Sequence, residues 1–216
     1  SKERRAAHIS SKLSNPDYSL LNDIATDITL KARNGELMEV VGRDDEIRKV
    51  EIALTRRDKN NVVLLGDGGV GKSAIVDGIA MRIARDEVLS LKGKKILQFS
   101  LNDLSATFGA FPSECIKRFI EEMKREKDVI LFIDEVHMLG RAKYLTDLLK
   151  PLMARGDFRI IGATTPMEWS AYVSGDTAFV RRFEKVMVEE PSVEDTIKIV
   201  ETVAPAYENF HHANFE

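Results

Sequence analysis

Apolar residues in this chain fall into two alternating patterns, short continuous runs and stripes at helical spacing. The runs Val62–Leu65, Lys95–Ser100, Val129–Ile133, Phe158–Ala163 and Phe183–Val188 predict five strands. Helical stripes lie between them. One follows Ser73 through Ile75, Val76 and Ile79, and one spans Ser113 to Lys127 with Ile116, Phe119, Ile120 and Met123. Another carries Leu145, Leu148, Leu149, Leu152 and Met153, a further helix lies around Glu168 to Val173, and a last one follows Glu190-Pro191-Ser192 with Ile197, Ile199 and Val200. Alternation of this kind from Val62 onward calls for an α/β fold, a parallel five-stranded sheet with right-handed crossovers and flanking helices.

Ahead of the first run, Leu20, Leu21, Ile24, Ile28 and Leu30 predict a single short helix that ends at Arg33 before Asn34-Gly35. Asp44 is expected to cap a helix through Ile47, Val50, Ile52 and Leu54. Residues 1 to about 19 are polar, close on Ser14-Asn15-Pro16-Asp17, and read as a weakly ordered lead-in. Arg56-Arg57-Asp58-Lys59-Asn60-Asn61 reads as a solvated connection, with a surface for a neighbouring subunit as the alternative.

Composition narrows the class. With 216 residues and 44% hydrophobic content the chain can build a sizeable core in one large or two small domains. A net charge of −3, with charges of both signs making up 31%, does not favour nucleic acid as partner. The only cysteine is Cys115, which excludes an internal disulfide and fits a reducing compartment, with cytoplasm expected. No apolar run nears the roughly 18 residues of a membrane span, and no secretory signal opens the chain, so no membrane association is expected. The start without Met suggests an excised fragment.

Two stretches carry chemistry. Gly66-Asp67-Gly68-Gly69-Val70-Gly71-Lys72-Ser73 meets the phosphate-binding pattern G-x-x-x-x-G-K-[ST] at every specified position, between a predicted strand and a predicted helix. Its glycines let backbone N–H groups point at a triphosphate, Lys72 reaches the β- and γ-phosphates, and the Ser73 hydroxyl is placed to ligate Mg²⁺. Val129-Ile130-Leu131-Phe132-Ile133-Asp134-Glu135 is a hydrophobic strand ending in acid. In a P-loop protein Asp134 would hold Mg²⁺, directly or through water, and Glu135 would polarise the attacking water. Thr164-Thr165 ends the next predicted strand, beside the ligand crevice of an open α/β sheet, where a hydroxyl could sense the γ-phosphate.

P-loop, Asp-Glu strand, Thr-Thr strand and Arg181-Arg182, in this order, resemble an AAA+ ATPase module. Val41-Gly42-Arg43-Asp44-Asp45-Glu46-Ile47, Lys59-Asn60-Asn61, Ile130 to His137, Leu149-Lys150-Pro151, Ile161-Gly162-Ala163-Thr164-Thr165, Arg181-Arg182-Phe183 and Glu190 to Thr196 closely resemble the first nucleotide-binding domain of the Clp family of unfoldases and disaggregases. The likeness runs from about Leu20 to His212.

The resemblance implies an ATP/ADP site with Mg²⁺ as cofactor. Val40, Val41 and Gly42 lie near the adenine, and Gly66, Asp67, Gly68, Gly69, Val70, Gly71, Lys72, Ser73, Ala74 and Asp134 form the nucleotide and metal contacts. It further implies that Asp134 and Glu135 are the Walker B pair, that Thr165 is the sensor-1 residue, and that Arg181 and Arg182 are arginine fingers reaching the next subunit of a hexameric ring. Residues 1–39 are then a lead-in and linker helix, 40–191 the large α/β subdomain, and 192–216 the start of a helical lid.

The family's K-Y-R-G-type pore segment aligns with Thr107-Phe108-Gly109-Ala110, which keeps an aromatic, Phe108, as the substrate contact and loses both basic residues. The segment after His137 is also shorter than the family's glycine-rich loop. The expected function is an ATP-hydrolysing motor of a Clp-like unfoldase acting on protein substrates or adaptors. The alternative is a nucleotide-dependent assembly or adaptor module that threads nothing. A small-molecule kinase fits less well, because Glu135 and paired arginines suit water activation and stabilisation in trans. His137 is read as structural, His211-His212 as family sequence without the further ligands of a metal site, Trp169 as packing, and Cys115 as a half-buried helix residue.

Overall fold

The computed structural model describes Lys12 and residues 15–99, 112–126, 128–141, 143–154, 158–173 and 175–211. Phe108, the rest of Thr107–Ala110, most of residues 1–14 and His212 lie outside the described residues. In chain order the elements are α1 (Leu20–Ile24), β1 (Ala25–Asp27), α2 (Ile28–Arg33), α3 (Asp44–Leu54), β2 (Asn61–Leu65), α4 (Lys72–Ala84), β3 (Lys95–Phe99), α5 (Pro112–Arg125) and β4 (Val129–Asp134). A 3₁₀ turn over Val136–Arg141 is followed by α6 (Lys143–Ala154), β5 (Arg159–Thr164), α7 (Pro166–Val173), α8 (Thr177–Val180), β6 (Phe183–Met187) and α9 (Val193–His211).

The strands form one six-stranded sheet in the order β1-β3-β4-β5-β2-β6. β2 to β6, the five predicted strands, are all parallel. In β2 every residue is buried, because Val63 and Leu65 pack into the core on one face while Val62 and Leu64 pack into the core on the other.

The sixth strand corrects the expected Leu20–Arg33 helix. Ala25, Thr26 and Asp27 break that helix and pair antiparallel with Phe99, Gln98 and Leu97 of β3. Two local groups fix the break. The Asp27 carboxylate accepts from Leu30 N–H at 2.8 Å and so starts α2, and the buried Thr29 hydroxyl accepts from Ile96 N–H at 2.8 Å. The Ile96 N–H, beyond the reach of β1, is thereby satisfied.

Three smaller expectations also change. Asp44 is the first residue of α3 and not its cap, which is Arg43 with no side-chain capping bond; Asp44, Asp45 and Glu46 instead place charge at the helix's positive end. Cys115 is fully buried, packed in the same core as Phe119 and Met123. In α9, Val193, Ile197 and Val200 are exposed, so its apolar stripe meets no core among the described residues.

Glu122 of α5 is buried and gathers the start of the fold. Its carboxylate accepts from Leu20 N–H at 2.8 Å, Leu21 N–H at 3.0 Å and the Ser19 hydroxyl at 3.1 Å, and it pairs with Arg118 at 2.9 Å. Arg118 in turn donates to the carbonyls of Asn15, Pro16 and Tyr18. Glu122→Ala removes the charged partner of Arg118 and leaves the helix-start donors unpaired, and is expected to cost about 3 kcal/mol of stability. A urea melt should show a lower midpoint at an unchanged slope; an unmoved midpoint would show the clamp to be energetically idle.

Candidate nucleotide site

Parallel pairing brings the C-terminal ends of β4, β5 and β2 side by side, which places Asp134, Thr164-Thr165 and the loop after Leu65 along one edge of the sheet. The loop is tied to that edge, since Gly66 N–H donates to the Thr164 carbonyl at 3.2 Å and Val188 N–H to the Leu65 carbonyl at 2.8 Å. A Cβ at Gly66 would lie 2.4 Å from the Val188 carbonyl, so the strand exit admits no side chain.

Asp67, Gly68 and Gly69 are exposed, and the turn ends at Gly71, which caps α4 in the left-handed region at φ +99°. That conformation starts the helix abruptly and leaves its first N–H groups facing outward. Lys72 Nζ donates to the carbonyls of Gly66 and Asp67, both at 2.7 Å, so the ammonium is held over the loop. Ser73 is exposed on the first turn, followed by the half-buried Ala74. Val70 is buried.

Arg43 braces the loop from behind, a role the sequence reading did not assign. It is 5% exposed, donates to the Val70 carbonyl and pairs with Glu46 at 2.8 Å. Val40 and Val41, just before it, are half-buried, and Val40 packs against the core beneath α4. A Cβ on Gly42 would come within 3.1 Å of Asp195, which brings the Val40–Gly42 stretch against the start of α9.

At the end of β4 the Asp134 carboxylate is exposed and accepts Glu135 N–H at 2.9 Å. Glu135 is exposed too and takes φ +51°, a backbone that side chains rarely adopt. Such an outlier costs on the order of 1–3 kcal/mol.

Thr164 is buried and its hydroxyl meets His137 Nδ1 at 2.8 Å and Glu168 Oε2 at 2.9 Å. The same Glu168 oxygen accepts the Thr165 hydroxyl at 2.9 Å and Thr165 N–H at 3.2 Å, while Glu168 N–H donates back to the Thr165 hydroxyl at 3.2 Å. Thr165-Pro166-Met167-Glu168 is thus a capping box at the start of α7. Hydrogen bonds from Thr165 and then Thr164 hold the Glu168 carboxyl below the usual carboxylate range, with burial opposing and His137 assisting. These bonds therefore support the folded state at neutral pH and are lost only as pH falls through that lowered value. His137 belongs to this hydrogen-bonded cluster, and Trp169 is fully buried beside Tyr172 and Phe183.

Arg181 and Arg182 are at the other end of the sheet. They precede β6, whose first residue, Phe183, pairs with Asn61 at the start of β2. Arg182 is held by its own turn, donating to the Ala178 carbonyl, and its carbonyl accepts Asn61 Nδ2 at 3.2 Å. Asn61 also accepts Ile160 N–H at 2.8 Å, joining the starts of β2, β5 and β6. The length of β2, roughly 17 Å at about 3.3 Å per residue, separates the arginines from the P-loop of the same chain.

The residues fit a nucleotide. A Cβ at Gly68 or Gly69 would meet nothing within 4 Å, so the cradle is open above an exposed lysine-bearing helix start. The exposed Ser73 hydroxyl and Asp134 carboxylate are hard oxygen donors, and Mg²⁺ ordinarily takes one or two such protein ligands beside phosphate oxygens and water. No helix among the described residues is long and apolar enough to cross a membrane.

Residues 62–189 match the model of the ATPase family associated with various cellular activities (AAA). Chaperone protein ClpB of Rhizobium meliloti (strain 1021) is 45% identical over 204 residues, 90% of this chain and 24% of that protein. Heat shock protein 104 of Schizosaccharomyces pombe (strain 972) is 42% identical over 214 residues, 94% of this chain and 24% of its own length. Among solved structures, the S. cerevisiae Hsp104:casein complex in its extended conformation superposes with a TM-score of 0.80 at 39% identity, covering 91% of this chain and 35% of that one. The S. cerevisiae Hsp104-ADP complex gives the same TM-score and identity over 90% of this chain and 35% of its own. This chain spans about a quarter of the length of the curated relatives it matches. A family model that covers more than half of the chain, and relatives this similar on both sides of the P-loop, leave one assignment: the chain belongs to the AAA family of ATPases, as a nucleotide-binding domain of the Clp type.

Proposed function

We propose that this chain is the ATP-binding and ATP-hydrolysing module of a Clp-like unfoldase or disaggregase that remodels protein substrates as a hexameric ring. The observation that carries the reading is the convergence of the P-loop, Asp134-Glu135 and Thr164-Thr165 on one sheet edge. The titles of the similar structures add support, since those Hsp104 proteins were captured with ADP and with casein.

In this reading, N–H groups of Gly68 to Ala74 and the Lys72 ammonium bind the phosphates of ATP or ADP, with Val40, Val41 and Gly42 beside the adenine. Lys72 leaves the Gly66 and Asp67 carbonyls to do so. Ser73 and Asp134 would hold Mg²⁺, which when bound would neutralise phosphate charge. Glu135, exposed at the end of β4, takes a proton from the attacking water. Thr165 contacts the γ-phosphate. Arg181 and Arg182 serve the site of the next subunit. Residues 40–191 form the large subdomain, 1–39 its lead-in, and 192–216 the start of a lid, in which Val193, Ile197 and Val200 are exposed. The lone, buried Cys115 suits a cytoplasmic protein.

One sequence feature favours the assembly-module alternative, the loss of basic residues around Phe108. Both readings separate in the full-length parent when phosphate release, without any small acceptor, is followed beside unfolding of a tagged protein. With threading, Phe108→Ala is expected to stop unfolding and spare phosphate release, and wild-type unfolding should depend weakly on salt because the contact is apolar. Unchanged unfolding in Phe108→Ala would favour the assembly module.

A further inference from the structure

A threonine hydroxyl has one proton to give. In the cluster at the end of β5 both threonine protons go to the same atom, Glu168 Oε2, at 2.9 Å each. Thr164 is then left to accept, so the proton at its 2.8 Å contact belongs to His137 Nδ1. Thr165 likewise has only lone pairs left, one of which takes Glu168 N–H at 3.2 Å.

A nucleotide phosphate is an acceptor and offers no proton at neutral pH. Thr165 as bonded here has nothing to donate to it. The carboxylate that holds the proton is ionised and makes charge-assisted bonds, roughly twice as strong as neutral ones. The cluster sits against the P-loop, since the Thr164 carbonyl accepts Gly66 N–H at 3.2 Å.

We propose that Glu168 is a positioning residue that competes with the γ-phosphate for the hydroxyl proton of Thr165, so that ATP must displace this hydroxyl from Glu168 and ADP need not. The proposal rests on the reading of Thr165 as the γ-phosphate contact. On displacement no covalent bond changes; the Thr165 O–H exchanges one acceptor for another. Glu168 keeps the Thr164 hydroxyl and Thr165 N–H, so the end of β5 stays fixed while the Thr165 side chain turns. His137 holds Thr164 on the carboxylate whichever nucleotide is bound. The cost of displacement is charged to ATP alone, and Glu168 thereby narrows the preference for ATP over ADP.

The test compares affinities of the full-length parent for ADP and for AMP-PNP, a non-hydrolysable ATP analogue. Glu168→Gln keeps an acceptor oxygen for the cap but removes its charge. It is expected to raise AMP-PNP affinity about fivefold and leave ADP affinity within about twofold. Thr165→Val is expected to lower AMP-PNP affinity alone, and in that background Glu168→Gln should no longer alter the ratio. A cap with only a structural role would move both affinities together. If Thr165→Val lowers the ratio but Glu168→Gln leaves it unchanged or lowers it too, the proposal is overturned and the Thr165 reading stands. If Thr165→Val leaves the ratio unchanged, the Thr165 reading fails and takes the proposal with it. Should Glu168→Gln fold poorly, Glu168→Asp, one methylene shorter, is expected to shift the ratio in the same direction, and an unshifted ratio there counts against the proposal.

Discussion

Removing both arginines, Arg181→Ala/Arg182→Ala, is expected to lower ATP turnover of the full-length ring by about 10³-fold or more while nucleotide binding persists. The sheet supplies the reason. β6 runs parallel to β2, so residues before Phe183 and residues after Leu65 are at opposite ends of the same strand pair. An arginine side chain does not bridge roughly 17 Å, the run of five residues at about 3.3 Å each. The proposed role is therefore one in trans, in which the guanidinium stabilises charge that develops on a neighbour's transferring phosphate. Mixing decides it. Subunits with Arg181→Ala/Arg182→Ala keep Glu135, and subunits with Glu135→Gln keep their arginines, so an interface between the two types can reunite one intact set. Partial recovery at intermediate ratios is expected. Rings that assemble at every ratio yet stay inactive would remove the trans assignment.

Glu135→Gln is expected to bind ATP normally and to lose about 10²- to 10⁴-fold in turnover, because only the proton acceptor for water is removed. Lys72→Ala should fail one step earlier. An ammonium–phosphate contact is worth about 1.5–3 kcal/mol, or roughly ten- to a hundredfold in affinity, less what its bonds to Gly66 and Asp67 return. Nucleotide titration beside phosphate release in the full-length parent separates the two variants. Equal loss of binding in both would show that Glu135 contacts nucleotide directly and is not the water-polarising base.

What the sequence made legible was local. The P-loop, the Asp134-Glu135 strand end and the Thr164-Thr165 strand end each announce themselves within eight residues or fewer, and parallel pairing then brings them together. The missed features depend on partners far along the chain. β1 exists because Ala25–Asp27 finds β3, and the helical spacing around it gave no sign of that. Arg43 reaches Val70, Glu122 reaches Leu20 and Leu21, and Asn61 reaches Ile160 and Arg182; no pattern near any of them names its partner. Glu168 is different. Thr165-x-x-Glu168 is a readable capping signal, and the same threonine also reads as a ligand contact, so one residue carries two signals.

The clamp on the lead-in has a mechanical meaning. Arg118 and Glu122 sit one helical turn apart and grip residues 15–21 by carbonyls, N–H groups and a hydroxyl, across a short edge strand with few pairs of its own. A pull applied to the chain ahead of Asn15 therefore loads the bonds of Arg118 and Glu122 before it reaches the three pairs between β1 and β3. The force then passes into α5 as a rigid rod.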